Sequence, residues 1–178
     1  MLKPPPGSAI AVLEWEDLEC PMCAHAFPIV HSVLKEYASK GIKIPLVRRD
    51  FHIPGHMWSR KASLYARYLQ DKFPPKDKST PDLATDYRRQ VFASQFRISS
   101  QDDLERFTQE FFKAHGKQIP FVLDPTGQLE KEVNADNDLA LKMGLAHTPT
   151  IIVVTPTRWI QVEDVNELGT AIDMARGR

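Results

Sequence analysis

The chain's only two cysteines stand three positions apart, in Cys20-Pro21-Met22-Cys23. Side chains at i and i+3 meet on a helical turn, and a disulfide spans Cα atoms roughly 5.5 Å apart. The pair can therefore close or open without refolding the chain, which points to redox chemistry before any stapling role. Pro21 suits a first helical position, where its missing N–H costs nothing, so Cys20 is expected at a helix N-terminus. Unpaired N–H groups and the helix dipole there favour thiolate over thiol. Such settings lower a cysteine pKa from about 8.5 to roughly 3.5–7.5. Stabilising the reduced form in this way makes the disulfide a stronger oxidant. Cys23, one turn deeper, should be shielded. Cys20 is then the sulfur that attacks or is attacked, and Cys23 resolves the mixed disulfide.

A Cys-x-x-Cys pair can also be half of a zinc site, with His52 and His56 as the remaining ligands. The distance in sequence from Cys23 to His52 is long for a finger, and the intervening segments read as helix and strand. A second constellation is His147-Thr148-Pro149-Thr150, directly before an apolar run. A proline between a helix stop and a buried strand fits either a cis peptide in a tight turn or an ordinary strand entry.

Several elements must position these groups. Ala9 to Trp15 reads as a buried strand. A helix begins at the cysteines, carries Phe27, Val30, Leu34 and Tyr37 at helical spacing, and ends at Gly41. Ile42 to Arg49 reads as a second strand. Trp58, Ala62, Tyr65, Ala66 and Leu69 form the stripe of another helix, and a Pro- and Lys-rich loop covers 72–81. Leu83, Tyr87 and Val91 mark the next. One more starts near Ser99 or Ser100, with Asp102 and Asp103 in its first turn and Leu104, Phe107 and Phe111 inward. A further helix runs from about Gln128 to Met143 and stops at Gly144. Thr150 to Thr155 is a buried strand, Arg158 to Val162 its hairpin partner, and Val165 to Ala175 the last helix. Trp15, Trp58 and Trp159 are expected in the core or lining a groove. His25 and His31 are expected as solvated helix residues, and His147 fits either a place facing the cysteines or the surface.

Lysines plus arginines and aspartates plus glutamates balance at 23 each, with no long run of one sign, so no nucleic-acid or polybasic membrane partner is expected. No run of about 18 apolar residues is present to span a bilayer. The Lys-Pro-rich start lacks the apolar stretch of a signal peptide. Both a cytoplasmic protein and one whose targeting segment or anchor is missing fit that start.

Taken in order, these segments resemble DsbA-like thioredoxin-fold oxidoreductases of bacteria. The resemblance rests on Glu14-Trp15-Glu16-Asp17-Leu18-Glu19-Cys20-Pro21-Met22-Cys23 and on Met143-Gly144-Leu145-Ala146-His147-Thr148-Pro149-Thr150. Between them, Arg49-Asp50-Phe51-His52-Ile53-Pro54-Gly55-His56 and Val133-Asn134-Ala135-Asp136 with Leu139-Ala140 resemble further family segments. It implies an α/β thioredoxin fold with an inserted helical subdomain, one domain over 1–178. The thioredoxin core would be about 9–56 and 146–178, and the insertion about 57–145. It implies Cys20 as nucleophile and Cys23 as resolving thiol. Pro149 would be cis beside the disulfide, and Thr148 would offer backbone groups to an extended peptide. Pro21 and Met22 would lie at the same substrate surface. Glu14, six residues before Cys20, would be a buried acid moving protons for the deeper cysteine, its pKa raised by desolvation. Strand alternation puts Glu14 and Glu16 on one face, so a solvent-facing Glu14 stays open on the sequence alone.

The resemblance further implies dithiol–disulfide exchange with protein or peptide thiols, most simply oxidation of secreted proteins. It implies a periplasmic or extracytoplasmic setting, a membrane quinone-linked oxidase for regeneration, a monomer, and no metal or organic cofactor. One departure matters. Strong oxidases of the family often carry Cys-Pro-His-Cys, and Met22 can neither donate to a thiolate nor carry positive charge. The acids Glu14, Glu16, Asp17 and Glu19 would also oppose a nearby anion. A moderate oxidant is expected. A reductase or isomerase, a glutathione-dependent enzyme of related fold, and a zinc-stabilised binding module remain the alternatives.

Overall fold

The computed structural model describes residues 2–77 and 79–177. The elements run β1 (Ala11–Glu16), α1 (Pro21–Ser39), β2 (Leu46–Asp50), α2 (Ser59–Lys72), α3 (Leu83–Ala93), α4 (Gln101–Ala114), α5 (Gln128–Lys142), β3 (Thr150–Val154), β4 (Trp159–Val162) and α6 (Leu168–Arg176). Short 3-10 turns at Gln95–Arg97 and Val165–Glu167 precede α4 and α6. The sheet has the order β2-β1-β3-β4. β1 is parallel to β2 and antiparallel to β3, and β3 is antiparallel to β4.

Both faces of the sheet are covered, so every residue of β1 and β3 is buried. Ile10 and Val12 join Ile151 and Val153 beneath Val30 and Tyr37 of α1 and Leu168 and Ile172 of α6. The alternate residues Ala11, Leu13 and Trp15 join Ile152 and Val154 against Ala140 of α5. Period-2 alternation thus sorts one strand between two cores. α5, which falls inside the expected insertion, packs on the sheet. A third core, built mainly from α2, α3 and α4, reaches across to Leu18, Cys20, Cys23 and Phe27. The cysteines sit where the helical block meets the sheet end of the molecule.

Caps explain the helix limits. Gly41 and Gly144 adopt φ values of 77° and 72°, and Ile42 N–H and Leu145 N–H donate to Tyr37 and Ala140 carbonyls. These are Schellman closures, which need a left-handed residue and hence glycine. Ser100 caps α4 by accepting from Asp103 N–H, as the serine-then-aspartate pattern predicts. α1 continues through Pro28, a residue that ordinarily breaks a helix interior. Its side chain lies on the exposed face while Phe27 and Val30 are buried, so packing on both sides holds the helix.

Two expectations need correction. The second strand begins at Leu46 rather than Ile42, because Pro45 lacks a ladder donor and only its carbonyl reaches β1, accepting from Val12 N–H at 2.9 Å. Trp159 is not core: it is 55% exposed on β4, the outer strand of the sheet. Trp15 and Trp58 are buried as expected.

Candidate active site

Cys20 is the N-cap of α1 in extended backbone conformation, with Pro21 following. Its own N–H donates back to Asp17 at 3.0 Å and its carbonyl accepts the first helical bond from Ala24. This geometry leaves the amides of Met22 and Cys23 facing its sulfur. The Cys20 pKa is lowered to about 5. The largest cause is the Cys23 thiol donating to it. The Thr148 side chain and the Met22 and Cys23 N–H groups add to this, against burial. Cys23 moves the other way, well above an ordinary thiol, chiefly through burial and the neighbouring Cys20. Only the Asp17 N–H, donating to Cys23 Sγ at 3.4 Å, supports the Cys23 anion directly. The two thiols, both reduced here, are thus driven apart by their surroundings.

Cys20 is less open than the sequence suggests. It is 7% exposed against 1% for Cys23, because its sulfur is turned toward the loop before β3, donating to the Thr148 carbonyl at 3.3 Å. The Thr148–Pro149 peptide is cis. The Thr148 hydroxyl is buried beside the Cys20 sulfur. Met22 stands out at 60% exposure, and it lines a cleft of about 540 Å³ together with His25, His147, Thr148, Pro149, Glu163 and Asp164.

The acids before Cys20 are each engaged elsewhere. Glu16 pairs with Arg88 of α3, with Arg48 at 3.7 Å. Asp17 accepts from Ile53 N–H and from the His56 ring, both at 2.8 Å, and from Glu19 N–H at 2.8 Å. Glu19 accepts from Trp58 N–H at 2.8 Å and Ser59 N–H at 3.1 Å. It thereby caps α2, which has no side-chain cap from its own N-cap residue. The expected opposition of these acids to the Cys20 anion is accordingly not among its leading influences. Among them Glu16 acts on Cys23, raising it.

Glu14 is buried in β1, which excludes the solvent-facing alternative. Neither of its carboxyl oxygens has a hydrogen-bond partner. Burial, then the Glu16 charge, raise its pKa to about 8, against lowering by Arg48 and Arg88. The structure therefore separates two acids that alternation could not: Glu16 is ion-paired, while Glu14 is the one poised to hold a proton.

The zinc alternative does not assemble. His52 Nε2 meets Ser63 Oγ at 3.1 Å, and His56 is bound to Asp17. Among the described residues no group of three or more His, Cys, Asp and Glu is arranged to hold a metal ion. His31 is a further correction: it is half-buried against Arg48 at 2.6 Å and stacked on Phe27. Burial and the Arg48 charge lower its pKa to about 4. His25 and His147 are exposed along the cleft.

Sequence reasoning missed Gln95. Its side-chain amide donates to the carbonyls of Leu18 at 2.9 Å and Cys20 at 3.1 Å, pinning the loop before α1 to the 3-10 turn after α3. No local pattern marks such a residue. It also left unassigned the arginines that neutralise the buried acids. Arg67 joins Asp50 at 2.7 Å and also pairs with Asp136, which Arg49 meets at 2.6 Å. These charges tie β2, α2 and α5 together. The recurrence of Arg49-Asp50 and Asp136 in the resembling segments was the available signal.

The sequence matches the family model described as Thioredoxin over residues 6–173. The chain belongs to the thioredoxin family. No curated protein sequence matches it. Solved structures show which branch of the fold this thioredoxin-family chain shares. DsbA2 of Pseudomonas aeruginosa superposes with a TM-score of 0.61 at 16% identity, covering 97% of this chain and 91% of that one. The thiol-disulfide exchange protein α-DsbA2 of Wolbachia pipientis gives 0.70 at 18% identity, over 97% and 84%. MdbA, a thiol-disulfide oxidoreductase of Corynebacterium matruchotii, gives 0.60 at 15% identity, over 91% and 80%. The α/β thioredoxin fold with an added helical block is thus that of DsbA-type structures.

Proposed function

We propose that this protein exchanges dithiol and disulfide with protein or peptide thiols, and that it runs chiefly as an oxidant of its clients. The observation that carries this reading is the opposed environment of the two sulfurs. Cys20 is favoured as thiolate at the tip of α1, and Cys23 is held as thiol beneath it. A client thiolate attacks Cys20 Sγ of the disulfide, the Cys20–Cys23 bond breaks, and Cys23 leaves and takes up a proton. A second client thiolate then attacks the client sulfur of the mixed disulfide and releases Cys20 as thiolate. Two electrons pass from client to protein, and the low Cys20 pKa makes that release favourable.

In this reading Glu14 supplies and recovers the Cys23 proton, since its pKa of about 8 lies near the working pH. Thr148 and cis Pro149 receive the client backbone in strand fashion, beside Pro21 and Met22. The relatives named as thiol-disulfide exchange proteins support this class of chemistry. We place the protein in a periplasmic or extracytoplasmic setting, as a monomer regenerated by a membrane quinone-linked oxidase. The chain divides into a core of about 9–56 and 146–178 and an insertion of about 57–145, with α5 serving the sheet as well.

The test is refolding of a reduced disulfide-containing protein by the oxidised chain, with the Cys20→Ser variant as control. Stoichiometric disulfide gain in the client with loss of the Cys20–Cys23 disulfide is the expected result. A disulfide that the client's dithiol cannot reduce would overturn the oxidant reading in favour of a reductase.

A further inference from the structure

The cleft beside the cysteines carries an asymmetry of charge. Met22, Thr148 and Pro149 line it next to Cys20, and Glu163 and Asp164 line it at the end of β4, the strand paired with β3. Among the described residues no lysine or arginine lines it. The remaining titratable residues on it are His25 and His147, which carry no charge when neutral. Glu163 and Asp164 are exposed. Asp164 spends one oxygen, Oδ1, on Asn166 N–H and Nδ2 at 2.9 and 2.8 Å, which fixes its carboxylate at the turn before α6. The acids before Cys20 are consumed by their own partners, so these two are the anionic groups that a client lying on Thr148 meets.

We infer that the Glu163–Asp164 rim selects clients whose reacting cysteine is flanked by a basic residue. This deepens the exchange reading and rests on it. A peptide extended along Thr148 and Pro149, with its sulfur at Cys20, lies along a cleft that also carries these two carboxylates. A Lys or Arg near that cysteine completes an ion pair at the rim, while a Glu there is repelled. The exchange step itself is unchanged. The client thiolate forms the bond to Cys20 Sγ, the Cys20–Cys23 bond breaks, and Cys23 leaves. Charge affects only how often the client is held in place.

The experiment uses the oxidised full chain at pH 8 and two peptides identical except for Lys or Glu beside a single cysteine. The readout is the second-order rate of mixed-disulfide formation, relative to each peptide's rate with a small-molecule disulfide, which removes the peptide's own thiol reactivity. We expect the Lys peptide to be about fivefold faster at low ionic strength, a ratio set by exposed charge pairs and shrinking with salt. Glu163→Gln with Asp164→Asn should bring the ratio close to one. Equal rates for the two peptides, or a preference that survives the double substitution, overturn the inference. Dithiothreitol, a neutral dithiol, separates this failure from that of the exchange reading. If it reduces the wild-type disulfide while the peptides are not discriminated, only the rim's role falls. If it cannot reduce the disulfide, both fall.

Discussion

Glu14 and Glu16 lie on one face of β1, two residues apart, yet Glu16 is ion-paired with Arg88 and Glu14 has no hydrogen-bond partner at either oxygen. Two identical side chains therefore do different work. One is ion-paired with α3, and the other is buried with its pKa raised to about 8.

That difference has a pH signature. The Glu14 pKa rises from 4.5 to about 8 on folding. Between these values the unfolded chain has lost this proton and the folded chain has kept it. Stability from this group is thus greatest at low pH, falls as pH rises from about 4.5, and levels off above about 8. Glu14→Gln removes the dependence and should stabilise the protein at pH 8 by up to roughly 3–5 kcal/mol, while changing little near pH 4. Urea unfolding at the two pH values measures it. A variant equally stable relative to wild type at both would contradict the raised pKa.

Alkylation of the reduced protein should show Cys20 reacting with a midpoint near pH 5 and Cys23 protected throughout. Cys23→Ala should raise the Cys20 midpoint, since the Cys23 thiol is the largest support of the anion. The lowered pKa also stabilises the reduced fold. That contribution is present above the unfolded thiol value near 9 and is lost as pH falls through 5. Thiolate absorbance during acid titration reads the midpoint directly.

The Met22 side chain offers the thiolate no donor. A Cys20 pKa of about 5 lies between the ~7 of thioredoxin and the ~3.5 of the strongest oxidant. Equilibration with glutathione should give a potential between about −270 and −120 mV. Met22→His adds a donor and a positive charge beside Cys20. It should lower the Cys20 pKa and make the potential tens of millivolts more oxidising. An unchanged potential would show that the side chain at position 22 has no part in setting it.

Gln95 reaches the Leu18–Cys20 loop from the helical block. Gln95→Met keeps the length and removes both donors to Leu18 and Cys20. It should cost about 1 kcal/mol in the reduced protein, since the Leu18 carbonyl loses its donor while the Cys20 carbonyl keeps the Ala24 N–H. Thermal unfolding of reduced wild type and variant checks this, and an identical midpoint would assign the contact no weight.

The elements were legible because their signals are local. The Phe27–Val30–Tyr37 spacing, the Ser100 cap, the stops at Gly41 and Gly144 and the apolar run after Pro149 each act within a turn or two of chain. The cysteine pair was legible for the same reason, since a helix start and an i, i+3 spacing are written in four consecutive residues. The weak points were positions where a neighbour distant in sequence decides. Pro45 delayed β2, Trp159 fell on the sheet's outer strand, and His31 was claimed by Arg48.

Sequence by itself determined which sulfurs could react and which one the helix amides would favour, because the backbone supplies those amides. It also determined the order of strands and helices. Only tertiary structure decided what surrounds the sulfurs. Asp17, Glu19 and Glu16 look like a block of repelling charge in the sequence, but in the fold they are spent on His56, the α2 amides and Arg88. Which of two glutamates keeps its proton, and which carbonyl meets Cys20, follow from burial and from partners brought together across the chain. Those energies depend on distance in space, which no spacing in sequence records.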